Sequence, residues 1–124
     1  MKKQTVRILL SALALSTLAA CGGNKGLSYH ADIKPLLDAK CVSCHVPGGA
    51  GYDQSGLRLD SYEAMMKGTK FGAVVVPGSS VSSTLYRLVS GQADPSIRMP
   101  HGQAALPDAD VAMIATWIDQ GAKY

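Results

Sequence analysis

Cys41-Val42-Ser43-Cys44-His45 gathers two thiols and an imidazole into five consecutive residues. Cys-x-x-Cys-His is the spacing by which a c-type haem is fixed to a chain. Each thiol adds across a vinyl C=C of the macrocycle to give a thioether, and the adjoining imidazole becomes the proximal ligand of iron. The chemistry would then be redox at iron. Two other chemistries share part of the pattern. A structural zinc site needs four nitrogen or sulfur ligands, and the further candidates, Cys21, His30 and His101, match no finger spacing. A dithiol oxidoreductase places its Cys-x-x-Cys after a strand, at the start of a helix, whereas this motif follows a helix-like segment.

An iron held by one imidazole has an open opposite face, and the group that fills it separates electron carriers from gas binders and peroxidases. Met65, Met66 and Met113 lie in segments of helical pattern, where methionine usually fills core space. Met99 lies instead in Ile97-Arg98-Met99-Pro100-His101-Gly102, between the last two expected helices. An irregular loop can aim a side chain, and Pro100 biases Met99 toward extended backbone. In an extended loop Met99 and His101 point the same way, so both stand as candidates for the distal iron ligand.

The segments that must hold these residues read as helical. Tyr29, Ile33, Leu36, Leu37 and Ala39 fall near one helical face. Pro35 belongs in the first turn of a helix running to about Lys40, which delivers Cys41 and Cys44. Val46-Pro47-Gly48-Gly49-Ala50-Gly51 is expected to be irregular, and its glycines let backbone pass close to a flat ligand. Asp60 and Glu63 read as a capping box for a helix from Ser61 to Lys67, closed by Gly68. Ala73 to Val76 suggests a short extended segment without a partner strand. Ser82 or Ser83 starts a helix carrying Leu85, Leu88 and Val89 and stopped by Gly91, and Asp94-Pro95 opens an irregular loop. Asp108 is the expected N-cap of a last helix, with Val111, Ile114, Ala115 and Ile118 at helical spacing and Gly121 as its stop. Trp117 widens that apolar face and is expected to cross the first helix near Ile33 or Leu37. The outline is one all-α domain of roughly three to five short helices.

The ends carry a different message. Lys2, Lys3 and Arg7 precede an apolar run through Ala20, the order of an export signal. The run falls short of the ~20 residues needed to span hydrocarbon. Leu18-Ala19-Ala20-Cys21 resembles a bacterial lipobox, after which Cys21 would carry lipid. The expected organisation is a signal peptide over 1–20, a lipidated Cys21 with a flexible tether over 21–27, and the haem domain over 28–124. Such a chain sits on the periplasmic side of the cell envelope, and Gly22 in place of aspartate favours the outer membrane where the host has one. Every cysteine then has a use, which suits an oxidising compartment. Of 12 Lys and Arg residues, three lie in the signal, so the rest balance the 9 acidic residues. That balance gives no electrostatic case for nucleic acid.

Together these residues resemble a class I c-type cytochrome, in particular the small single-haem domain of planctomycete type. The resembling segments are Ile33-Lys34-Pro35-Leu36-Leu37, the Cys41 to His45 motif, Gly56-Leu57-Arg58-Leu59-Asp60, Val76-Pro77-Gly78-Ser79, Arg98-Met99-Pro100, and Leu106-Pro107-Asp108 leading to Trp117-Ile118-Asp119-Gln120-Gly121-Ala122. The resemblance implies a cytochrome c fold around one covalently attached haem c, with His45 and Met99 as axial ligands and the first helix packed across the last. The expected role is that of an electron carrier rather than an enzyme, a monomer exchanging single electrons with redox partner proteins that the family does not identify. The competing expectation is a haem-based ligand binder or peroxidase with an open sixth position. Arg58 and Arg87 are candidate partners for haem propionates, because arginine pairs bidentately with carboxylates.

Overall fold

In a computed structural model, which describes residues 25–124, the chain is helical, with no named strand among those residues. The expected signal peptide and Cys21 lie outside them, and among the described residues no helix is long and apolar enough to cross a membrane. The helices are α1 (Lys34–Lys40), α2 (Ala50–Ser55), α3 (Tyr62–Lys67), α4 (Thr84–Val89) and α5 (Asp108–Asp119). This is the expected all-α architecture, that of a small cytochrome c fold, with five helices among the described residues.

Helix α1 is preceded by a wider, π-type turn over Tyr29–Ile33. Pro35 stands at the start of α1 and has no N–H to donate to a preceding carbonyl. The turn before it closes on longer loops instead, the Lys34 N–H donating to the Tyr29 carbonyl. Ser28 caps this start by accepting from Ala31 N at 3.2 Å, while Asp32 accepts from Ser28 N at 2.8 Å. The two carboxyl and hydroxyl groups thereby satisfy donors that a helix start leaves open.

Ile33, Leu37, Ile114, Trp117 and Ile118 are all essentially inaccessible to solvent, and α5 packs against the Tyr29–Ile33 turn. Trp117 is core, as expected, and its ring centre lies 6.3 Å from that of Tyr29. Its indole Nε1 donates to the Lys123 carbonyl at 2.8 Å, and the Tyr29 N–H donates to the same oxygen at 2.8 Å. One carbonyl thus joins the first and last helical segments. Met65, Leu59, Val74, Val75, Leu85 and Val89 complete the core.

Several boundaries differ from expectation for local reasons. Residues 46–49 are irregular, but Ala50 and Gly51 begin α2, which the glycine-rich composition had hidden. The cap of α3 is Ser61, whose hydroxyl accepts from Ala64 N at 3.2 Å, rather than Asp60. Asp60 instead receives Arg58. Asp108 is the first residue of α5 and Pro107 its N-cap. Proline fixes the entry angle there, and Asp108 and Asp110 place negative charge in the first turn. The Asp94-Pro95 loop holds one 3-10 turn, Pro95–Ile97, capped by Asp94 through Ser96 N at 2.9 Å. Val74 and Val75 are buried without belonging to a strand.

The stretch from Val76 to Ser83 is tied down by side chains. Ser83, fully buried, accepts from Val76 N at 2.8 Å and donates to the Ser79 carbonyl at 2.8 Å. Although it is the N-cap of α4, its hydroxyl serves the preceding loop. Asp119 reaches back from the end of α5 to accept from Ser80 N at 2.7 Å and from Ser80 Oγ at 3.0 Å.

Candidate haem site

Helix α1 ends at Lys40, and the chain turns through Cys41 to His45 on backbone hydrogen bonds. Cys41 N donates to Leu37 O at 2.8 Å, and His45 N donates to Cys41 O at 3.1 Å. The motif is therefore a compact turn hung from the buried Leu37. Both cysteines are free thiols, Cys41 partly buried and Cys44 exposed. Burial, with a smaller contribution from Cys44, pushes the Cys41 thiol up to about 11, so it is protonated at neutral pH. A thiol, bearing both S and H, is what addition across a vinyl group consumes.

His45 is partly buried, and burial holds its imidazole below the usual histidine range. Neutral imidazole is the form that ligates a metal. Its Nδ1 is buried and unpartnered. The Leu57 backbone acts in the opposite sense on the imidazole, favouring charge, but closes no hydrogen bond to Nδ1. With Nδ1 sealed inside, Nε2 is the nitrogen left to ligate.

Two segments hold the imidazole in place. Leu59 N donates to His45 O at 2.9 Å, and Tyr52 N donates to Cys44 O at 2.9 Å. The second bond draws the start of α2 against the motif. A Cβ on Gly51 would lie 2.7 Å from His45 Cε1 and 2.8 Å from Nε2, and one on Gly49 would meet the Cys44 carbonyl oxygen at 2.5 Å. Gly49 and Gly51 are thus parts of the site that motif reading left without a role. Their signal in the sequence was a glycine-rich stretch suited to lying beside something flat. The flat group beside Gly51 is the imidazole itself.

The two distal candidates separate. Met99 is partly buried and packs against the core, with its N–H donating to Leu88 O at 3.1 Å, whereas His101 is exposed. The chain bends and turns across residues 99–102 instead of running extended, so alternating residues do not share a face. Met65 is fully buried core, and Met66 and Met113 pack against it. Arg58 is bound to Asp60, Nη2 to Oδ2 at 2.7 Å and Nε to Oδ1 at 3.1 Å. Arg87 is exposed. A cleft of about 190 Å³ between α4 and α5 is lined by Arg98, Leu106 and neighbouring residues and touches none of Cys41, Cys44 and His45.

Among the described residues, no three His, Cys, Asp or Glu side chains converge as a metal cluster. His30 and His101 are both exposed and do not complete a four-ligand set with Cys41 and Cys44. The donor chemistry does fit haem: two free thiols, an adjoining neutral imidazole with its inner nitrogen sealed, and a soft thioether from a loop. No curated protein and no solved structure matches the chain. One family model does, described as planctomycete cytochrome C, and it covers residues 41–102, beginning on the first thiol of the motif and reaching past Met99. With half of the sequence inside that match, the chain belongs to the planctomycete cytochrome C family, whose members carry out haem-based electron transfer.

Proposed function

We propose that this chain is a lipid-anchored, periplasmic monohaem cytochrome that passes single electrons between redox partner proteins. Cys41 and Cys44 would hold the haem by thioether bonds, His45 Nε2 would be the proximal ligand and Met99 Sδ the distal one. When bound, the haem supplies a one-electron Fe(III)/Fe(II) couple, which His/Met ligation keeps relatively high in potential. The observation that carries this reading is His45, adjacent to two free thiols and neutral, with Nδ1 buried and unpartnered. The chain's own residues do the positioning. The Leu37 carbonyl fixes the turn that presents the thiols, and Leu59 N and the start of α2 fix the histidine backbone. Met99 is favoured over His101 because its side chain packs against the core while that of His101 is exposed. Cys21 would tether the domain through lipid to the envelope, outer membrane favoured.

The test is the optical spectrum of protein matured in a host that attaches c-type haem. Haem that stays with the chain after denaturation, together with a sulfur-to-iron charge-transfer band lost in Met99→Ala and kept in His101→Ala, is the expected result. A band that survives Met99→Ala removes Met99 as ligand. A high-spin, five-coordinate wild type favours a ligand-binding or peroxidase role instead. Release of Cys21→Ser from the membrane fraction tests the anchor.

A further inference from the structure

At the N-terminal end of α1, away from Cys41 at its other end, a cleft of about 480 Å³ opens between the Tyr29–Ile33 turn, the start of α3 and Tyr124. Its tyrosine rings touch one another. Tyr29 and Tyr62 meet edge to face at 5.3 Å, Tyr62 and Tyr124 at 5.4 Å, and Tyr29 and Tyr124 stack at 6.1 Å between centres. Aromatic faces carry negative potential and attract cations. Tyr62 uses its hydroxyl to donate to Ala122 O at 2.9 Å. Tyr29 does not: it is only 2 % exposed, and its hydroxyl is buried with no hydrogen-bond partner. Buried hydroxyls are nearly always paired, and leaving one unpaired is costly.

The surroundings of that hydroxyl are acidic. Asp38, Asp60, Glu63 and Tyr124, which line the cleft together with Tyr29, act on it electrostatically. Lys34 neutralises Asp38 through contacts of 2.5 and 2.6 Å, and Arg58 neutralises Asp60. Glu63 has no ion-pair partner among the described residues. One negative charge is therefore left over at the mouth. The carboxylates do not converge as a metal site, and the cleft is far larger than an ion.

From this juxtaposition of the Tyr29, Tyr62 and Tyr124 rings, the unpaired Tyr29 hydroxyl and the uncompensated Glu63 carboxylate, we infer that the cleft binds a small organic cation bearing an ammonium group. The rings hold the alkyl stem and the charge, the Tyr29 hydroxyl accepts an N–H, and Glu63 balances the positive end. Tyr124, 66 % exposed and stacked beside Tyr29, shifts aside to open the hydroxyl. No haem chemistry enters this binding, so it stands or falls separately from the electron-carrier reading.

The test follows tyrosine-ring NMR resonances of the full, purified protein in titrations with 1,4-diaminobutane, tetramethylammonium, butan-1-ol and butanoate. The diamine is expected to saturate, and tetramethylammonium, which has no N–H, to bind about tenfold more weakly, since a hydrogen bond to a charged group is worth that much or more. Tyr29→Phe should weaken the diamine about tenfold and leave tetramethylammonium unchanged, while Glu63→Gln weakens both. An unchanged far-ultraviolet circular dichroism spectrum in each variant shows that the helical fold is intact. Binding of butan-1-ol or butanoate as tightly as the diamine, an unaltered diamine affinity in Tyr29→Phe, or no saturable binding by either cation overturns the inference.

Discussion

Gly51→Ala tests whether the start of α2 positions the His45 imidazole, the proposed iron ligand. The added Cβ would stand 2.7 Å from His45 Cε1, 2.8 Å from Nε2 and 3.0 Å from the Cys44 carbonyl oxygen, where ordinary contact begins at 3.4 Å. Something must move by about 0.7 Å to relieve the closest of these contacts. The helix cannot easily retreat, because Tyr52 N is bonded to Cys44 O at 2.9 Å and Ser55 Oγ donates to Gly51 O at 2.6 Å. The imidazole is the part that yields. Overpacking of this kind costs about 1–3 kcal/mol, and for a domain of this size each kcal/mol lowers Tm by roughly 4–8 °C. Thermal unfolding of the haem-loaded protein should show that fall, and its electron paramagnetic resonance spectrum should show an altered or mixed iron environment as the ligand tilts. Gly48→Ala is the control. Gly48 has φ +87° and nothing within 4 Å of a Cβ, so its variant carries only left-handed backbone strain, about 1–2 kcal/mol, and keeps the wild-type iron spectrum. Gly51→Ala with unchanged Tm and spectrum would refute the reasoning, as would a Gly48→Ala spectrum shifted to the same extent.

Three further outcomes are expected. In the haem-free chain near pH 8, iodoacetamide should label exposed Cys44 well before Cys41, whose thiol is pushed up to about 11 by burial; equal rates read by mass spectrometry would contradict the burial of Cys41. Ser83→Ala removes a fully buried hydroxyl and leaves Val76 N without that acceptor and Ser79 O without that donor in a partly buried loop, so denaturant unfolding should show a loss of about 1–3 kcal/mol. Tyr29 is pushed up to about 12 by burial and nearby carboxylates. The unfolded chain therefore loses this proton first, near 10, and stability present below that pH is lost as pH rises toward 12. Tyr29→Phe should flatten that decline, and an equally steep decline in the variant would assign it to other groups.

The sequence spoke most clearly where one residue type does one job. Cys-x-x-Cys-His narrowed the chemistry to haem attachment, zinc or a dithiol, and the segments around it favoured the first, while the run of Val111, Ile114 and Ile118 marked the core-facing side of α5 because helical periodicity reports burial directly. It spoke less clearly where groups compete for a role. Asp60 and Ser61 are both good caps, and only the presence of Arg58, two residues before Asp60, shows why the serine took the cap. Gly51 read as a breaker because glycine is a poor helix former, yet contact with His45 leaves no room there for a side chain. Met99 and His101 could not be told apart from their separation, since their facing depends on a bend that local pattern does not encode. The aromatic corner at Tyr29 was invisible for a similar reason: Tyr62 and Tyr124 reach it from distant parts of the chain.

The Lys123 carbonyl, which takes both the Tyr29 amide and the Trp117 indole, also imposes an order of events. With Leu27 N bonded to Gln120 across 93 residues, the first helical segment finds its permanent neighbour only once Gln120 to Lys123 have been made. During synthesis, the Cys41 to His45 turn emerges long before that closure. The motif therefore stands on an open, unfinished segment until then, and arrival of the Gln120 to Lys123 stretch acts as the latch that shuts the domain over it.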